Sequence, residues 1–211
     1  MRSPAASVVR WLLVAAVAIV PLSIAAANPL LASRDAMWVV GGMAGVVALS
    51  LLFLQPVLVS GFLPALRGSQ ERRWHRWIGT GVVVLVVLHV AGLYVTSPED
   101  IADALLLVSP TPFAVYGVMG LVGVILTAGL AGVRTRISRR TWQIVHSILA
   151  VIIVIGSVVH ALLIEGAMGD TSKLVLCVVL TVATAGAVGK IALTWRTRAL
   201  PEPNSTKAPA R

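Results

Sequence analysis

The stretch ERRWHRWIGTGVVVLVVLHVAGLYVTSPED, residues 71–100, opens basic and Trp-flanked, then runs into an apolar segment. It carries two of the chain's four histidines, His75 and His89. An ionisable side chain is expensive inside a bilayer, and one found there is a functional-site hypothesis by default. The apolar part, Trp77–Thr96, is long enough to cross, since about 20 apolar residues span a hydrocarbon core about 30 Å thick. Five further segments match it: Val8–Ala27, Met37–Gly61, Phe113–Val133, Trp142–Ile164 and Leu174–Trp195. The expected fold class is an all-α membrane protein, a six-transmembrane-helix bundle.

Composition agrees. The chain is 58% hydrophobic and 12% charged, whereas a soluble domain is about 45–50% apolar and about 25% charged. Its 211 residues therefore leave little soluble mass. The one cysteine, Cys177, excludes a disulfide within the chain, and the lack of C-x-x-C-H excludes covalent c-type haem attachment. Residues 1–7 read as a cytoplasmic N-terminus, 8–195 as the membrane domain, and 196–211 as a disordered cytoplasmic tail ending in RALPEPNSTKAPAR. The first segment has a basic start and an Ala-rich end, which also describes a cleavable signal peptide. The orientation of the remaining helices is the same under either reading.

Charge sets that orientation. With the N-terminus inside, the inner segments hold 15 of the 17 Lys and Arg residues, and the outer loops hold only Arg34 and Lys173. Excess Lys and Arg on the cytoplasmic side is the rule for short loops. Both termini are thus expected in the cytoplasm, in a multi-pass protein of the inner cell membrane. The net charge of +9 is a topology signal, and nucleic acid is not an expected partner.

The four histidines are His75, His89, His146 and His160, two on the third span and two on the fifth. Within each span they lie fourteen residues apart. Fourteen steps of about 100° end some 40° short of four turns, so each pair shares a helix face, about 21 Å apart along the axis. The two spans run parallel. His75 and His146 are expected near the inner face, and His89 and His160 in the outer half. Faces set opposite each other form two stacked pairs. Neutral imidazole is a good axial ligand for haem iron, and two histidines across a gap can hold one haem from both sides. One depth mismatch stands: His75 precedes its apolar run, whereas His146 lies four residues past Trp142.

Other residues are read around this constellation. Gly79, Gly92 and Gly156 fall on the histidine side of their helices. They either leave room for a flat macrocycle or serve close helix packing. Gly117, Gly120 and Gly123 are read as packing. Arg73 and Arg76 are the candidates for pairing with inner haem propionates, and most arginines at that end serve as positive-inside anchors. Lys173 and Arg34 are the outer candidates. Trp74, Trp77 and Trp142 suit an interfacial belt. Glu165 is expected to be solvated, Lys190 to snorkel, and Gln55 with Pro56 to mark a local helix distortion.

HRWIGTGVVVLVVLH and HSILAVIIVIGSVVH, set in six spans, resemble the ferric reductase-like transmembrane domain over about residues 8 to 195. That superfamily includes the membrane parts of NADPH oxidases and ferric reductases and the bacterial YedZ/MsrQ-type haem proteins. The resemblance implies two b-type haems, His75 and His146 holding the inner one and His89 and His160 the outer one. It implies electron transfer from the cytoplasmic side to an outer acceptor. The oxidase and ferric reductase members carry a flavin and nicotinamide domain after the last helix. Here only about 16 residues follow Trp195, and there is no Gly-rich nucleotide fingerprint. A separate donor, a flavin reductase or quinol, is therefore expected, with ferric iron or a periplasmic reductase as acceptor. No catalytic acid, base or nucleophile is required, and both an oxidoreductase and its electron-transfer subunit fit. A haem-free transporter using the histidines as a proton or metal path is the alternative. It calls for acidic partners within the helices, which are almost absent.

Overall fold

The computed structural model describes residues 4–64, 66 and 68–199, the side chains of the last four excepted. Seven α-helices occur among them: α1 (Pro4–Ala26), α2 (Ala36–Ser60), α3 (Gly68–Thr96), α4 (Pro98–Leu105), α5 (Pro112–Gly132), α6 (Arg139–Leu163) and α7 (Asp170–Ala199). All except α4 are long and apolar enough to cross a membrane. The six expected spans are therefore present. α4 is the addition, in the expected outer loop, where Pro98 at the first helical turn and Glu99 and Asp100 behind it favour a helix start.

The ends differ from the apolar runs in an informative way. α3 starts at Gly68, nine residues before Trp77, and α6 starts at Arg139, three before Trp142. Hydropathy marks the part of a helix that lipid can cover, not the helix itself. Gln70, Glu71, Arg72 and Arg73 are good helix formers, and Glu71 in the first turn suits the helix dipole. α6 is started by Ser138, whose side chain accepts from the Thr141 amide at 3.1 Å. α7 continues past Trp195 to Ala199, and the rest of the expected disordered tail, 200–211, lies outside the described residues.

α2 is the hub, packed against α1, α3 and α7, while α5 packs chiefly on α6. The core lies where α1, α2, α6 and α7 meet: Val14, Phe53, Val57, Val154, Leu176 and Leu180. Outward-facing Val84, Val87, Ile125, Ile148, Ile155 and Val182 are each half or more exposed, the surface a lipid tail would cover. In lipid such a bundle is held by packing and hydrogen bonds rather than by hydrophobic transfer. Two polar ties close its ends. Asn28 Nδ2 donates to Ala167 O at 2.8 Å, joining the end of α1 to the α6–α7 turn. At the opposite end Lys190 Nζ donates to Ser60 O at 3.0 Å, one of the last carbonyls of α2, beside Gly61 at φ 71°.

Candidate functional site

α3 and α6 bring the four histidines together as two pairs. The His75 and His146 rings have centroids 6.0 Å apart and planes 78° apart. The His89 and His160 rings are 6.3 Å and 82° apart. The helices carrying them are not themselves a closely packed pair, so the rings meet across the space between two backbones. His75 and His146 are each the eighth residue of their helices.

Each outer ring is held from behind. His89 Nδ1 donates to Gly41 O on α2 at 2.7 Å, and His160 Nδ1 donates to Phe113 O on α5 at 2.9 Å. A carbonyl only accepts, so Nδ1 carries the proton in both and Nε2 keeps its lone pair. The contacts are close because a glycine stands four residues beyond each carbonyl. A Cβ on Gly45 would lie 2.8 Å from His89 Nδ1, and one on Gly117 would lie 2.7 Å from His160 Nδ1. The Phe113 ring adds an edge contact to His160 at 5.9 Å.

The inner pair is held by side chains. The Gln55 amide of α2 lies 2.8 Å from His75 Nδ1. Nitrogen-first, it also reaches His75 O at 3.2 Å, and its oxygen accepts from the Gly79 amide at 3.0 Å. In this orientation the amide satisfies every neighbour it meets, and Nδ1 is the acceptor. His146 stacks on Trp142, one helical turn before it, at 5.2 Å and 9°, and the Arg134 guanidinium lies 5.1 Å from that indole's centre. His146 Nδ1 is buried without a hydrogen-bond partner.

Several expectations change. Gly92 and Gly156 do not make room for a macrocycle. A Cβ on Gly92 would meet Gly41 Cα at 2.8 Å, and one on Gly156 would meet Gly120 N and Tyr116 O at 2.8 Å. Both are helix-packing glycines facing α2 and α5, and Gly79 faces Gln55. Gly117, read as packing, instead clears His160. Gln55, read with Pro56 as a local distortion, is also a partner of His75. Trp142 belongs to the site through its stack. Lys173 and Arg34 are engaged elsewhere: Lys173 Nζ is bonded to Ile164 O at 2.9 Å and to Asp170 at 3.2 Å, and Arg34 lies over Trp38 at 4.8 Å. Arg73, Arg76 and Glu165 are exposed. Neither arginine forms an ion pair, the Lys173–Asp170 bridge being the one found among the described residues.

Two imidazoles at this separation suit one metal ion shared between them. A metal–imidazole bond is about 2.0–2.1 Å, and a ring centre lies about one ångström behind its bonding nitrogen, so two rings on one ion have centroids about 6 Å apart. Among the described residues no three His, Cys, Asp or Glu side chains cluster. Each pair therefore offers two ligands and suits a metal that arrives with the rest of its coordination sphere. The model of the family described as "Ferric reductase like transmembrane component" matches residues 42–157, more than half of the chain. The match runs from α2 into α6 and takes in His75, His89 and His146, ending three residues before His160. Nothing among curated proteins or solved structures matches.

Proposed function

Because the chain belongs to the ferric reductase-like transmembrane family, we propose that it moves electrons across the membrane through two b-type haems, the inner held by His75 and His146 and the outer by His89 and His160. Membership makes it a multi-pass membrane protein and points to transmembrane electron transfer. The finer reading is our own: a cytoplasmic-side or quinol donor such as a flavin reductase, an acceptor on the outer side such as ferric iron or a periplasmic reductase, and residence in the inner cell membrane.

The observation that carries it is the pair of ring separations, 6.0 and 6.3 Å, with only two ligands in each pair. A haem, when bound, would supply an iron that changes reversibly by one electron. The chain supplies the remainder. Gly41 and Phe113 carbonyls fix the outer rings with Nε2 bare and raise its basicity. Gln55 braces the His75 ring from α2, its amide nitrogen 2.8 Å from Nδ1. Trp142 holds the plane of His146 by stacking. Arg73 and Arg76, at the inner end of α3, are the candidates for the propionates of the inner haem.

Purified protein, oxidised and then reduced with dithionite, is expected to give low-spin b-type spectra with two haems per chain. His89→Ala is expected to remove the outer haem and His146→Ala the inner one. Loss of the same haem in both variants would contradict the pairing. A colourless protein from cells well supplied with haem would favour the haem-free transporter instead.

A further inference from the structure

The two halves of the site are built alike. α2 lies antiparallel on α3, and α5 lies antiparallel on α6. In the outer layer Gly41 O meets His89 and Phe113 O meets His160. Fourteen residues on from Gly41 along α2 is Gln55, and fourteen back from His89 along α3 is His75. Those two meet, at 2.8 Å. The same steps in the other half lead from Phe113 to Thr127 and from His160 to His146. Equal steps in opposite directions along antiparallel helices return a facing pair to a facing pair. The glycine contacts follow this register, Gly117 on His160, Gly120 on Gly156 and Gly123 on Ile153, and Thr127 lies one turn beyond Gly123.

At this position two buried atoms lack partners. Thr127 Oγ1 and His146 Nδ1 are two of three such side-chain atoms among the described residues, the third being Ser50 Oγ. Buried polar atoms are nearly always paired, by protein or by water. Other threonines in these helices satisfy themselves: Thr80, Thr181 and Thr184 each donate to the carbonyl four residues back. Thr127 does not.

We propose that Thr127 is the positioning residue of His146, its Oγ1 accepting the Nδ1 hydrogen bond through one bridging water, at the position along α5 that Gln55 holds along α2. The proposal rests on the haem reading above. An acceptor on Nδ1 fixes the tautomer and makes Nε2 the better donor to iron, which favours the oxidised metal. A hydroxyl here, against a backbone carbonyl at each outer histidine, gives the two haems different surroundings for the same ligand set.

The test uses full-length protein carrying both haems. Thr127→Val keeps the shape and removes the oxygen. In a redox titration it is expected to raise the midpoint of one haem and leave the other in place, with haem affinity at that site falling about 10-fold or more. Thr127→Ser is expected to restore both. Thr127→Ala is read in the same way and covers poor recovery of the valine protein. The haem that moves is expected to be the one that His146→Ala removes. Two unchanged midpoints, or a shift that serine does not reverse, would overturn the proposal and leave the haem reading standing. Parent protein that binds no haem would overturn both.

Discussion

His89 and His160 bond to carbonyls that already belong to helices. Gly41 O and Phe113 O lie four residues before Gly45 and Gly117, whose amides are their helical donors. Each carbonyl has two lone pairs, so the second can take the imidazole proton, provided no side chain blocks the approach. Gly45→Ala or Gly117→Ala would put a methyl within 2.8 or 2.7 Å of Nδ1. Each ring must then leave its carbonyl, and the expected result is loss of the outer haem with the inner one kept. Haem per chain should fall from two towards one in quantitative spectra. The histidines were legible in the sequence because two equal fourteen-residue steps are a pattern of side chains. Their carbonyl partners were not, because every residue has the same carbonyl. Gly45 and Gln55 could have been found by comparing α2 with α5. Gly45 and Gly117, and Gln55 and Thr127, are both 72 apart, while the histidines repeat at 71.

Between elements, the glycines facing α2 and α5 set how closely the two hairpins close. A Cβ on Gly92 meets the backbone of Gly41, and one on Gly156 meets the backbone of Gly120 and Tyr116, in each case at 2.8 Å. Backbone cannot turn aside as a side chain can, so the helices must separate. Gly92→Ala and Gly156→Ala are each expected to cost about 1–3 kcal/mol, the range for overpacking a close contact, read as a lower midpoint of thermal unfolding in detergent. Gly129 and Gly186 have nothing within 4 Å of a built Cβ. Gly129→Ala and Gly186→Ala are expected to leave that midpoint unchanged or slightly raised, since alanine is the better helix former. Equal effects at all four positions would show that helix propensity, not contact, decides. Sequence spacing put Gly92 and Gly156 on the histidine side but could not say which neighbour they face. That depends on the rotation of α3 against α2 and of α6 against α5, which is a tertiary quantity.

Across the whole molecule, the path has a direction only if the bundle has one. Six spans alternate through the membrane, so the α4 connection and the α5–α6 turn fall on opposite sides. Arg134 and Arg136 lie in the α5–α6 turn and Arg139 and Arg140 open α6, while α4 carries Glu99, Asp100 and Asp103. Lys and Arg in short loops hold to the cytoplasm, so the proposed path is expected to have His75 and His146 on its cytoplasmic side and His89 and His160 on its outer side. The six spans were legible from composition, because hydropathy acts on each segment alone. The start of α3 at Gly68 was not, because a polar helical turn outside the lipid looks like a loop to hydropathy. Orientation can be read from single cysteines. Cys177 is 1% exposed, and Cys177→Ala provides the background. In intact cells a membrane-impermeant maleimide is expected to label Asp100→Cys and to spare Arg136→Cys until the membrane is opened. The reverse pattern would invert the bundle, and the inner histidine pair would then face the acceptor.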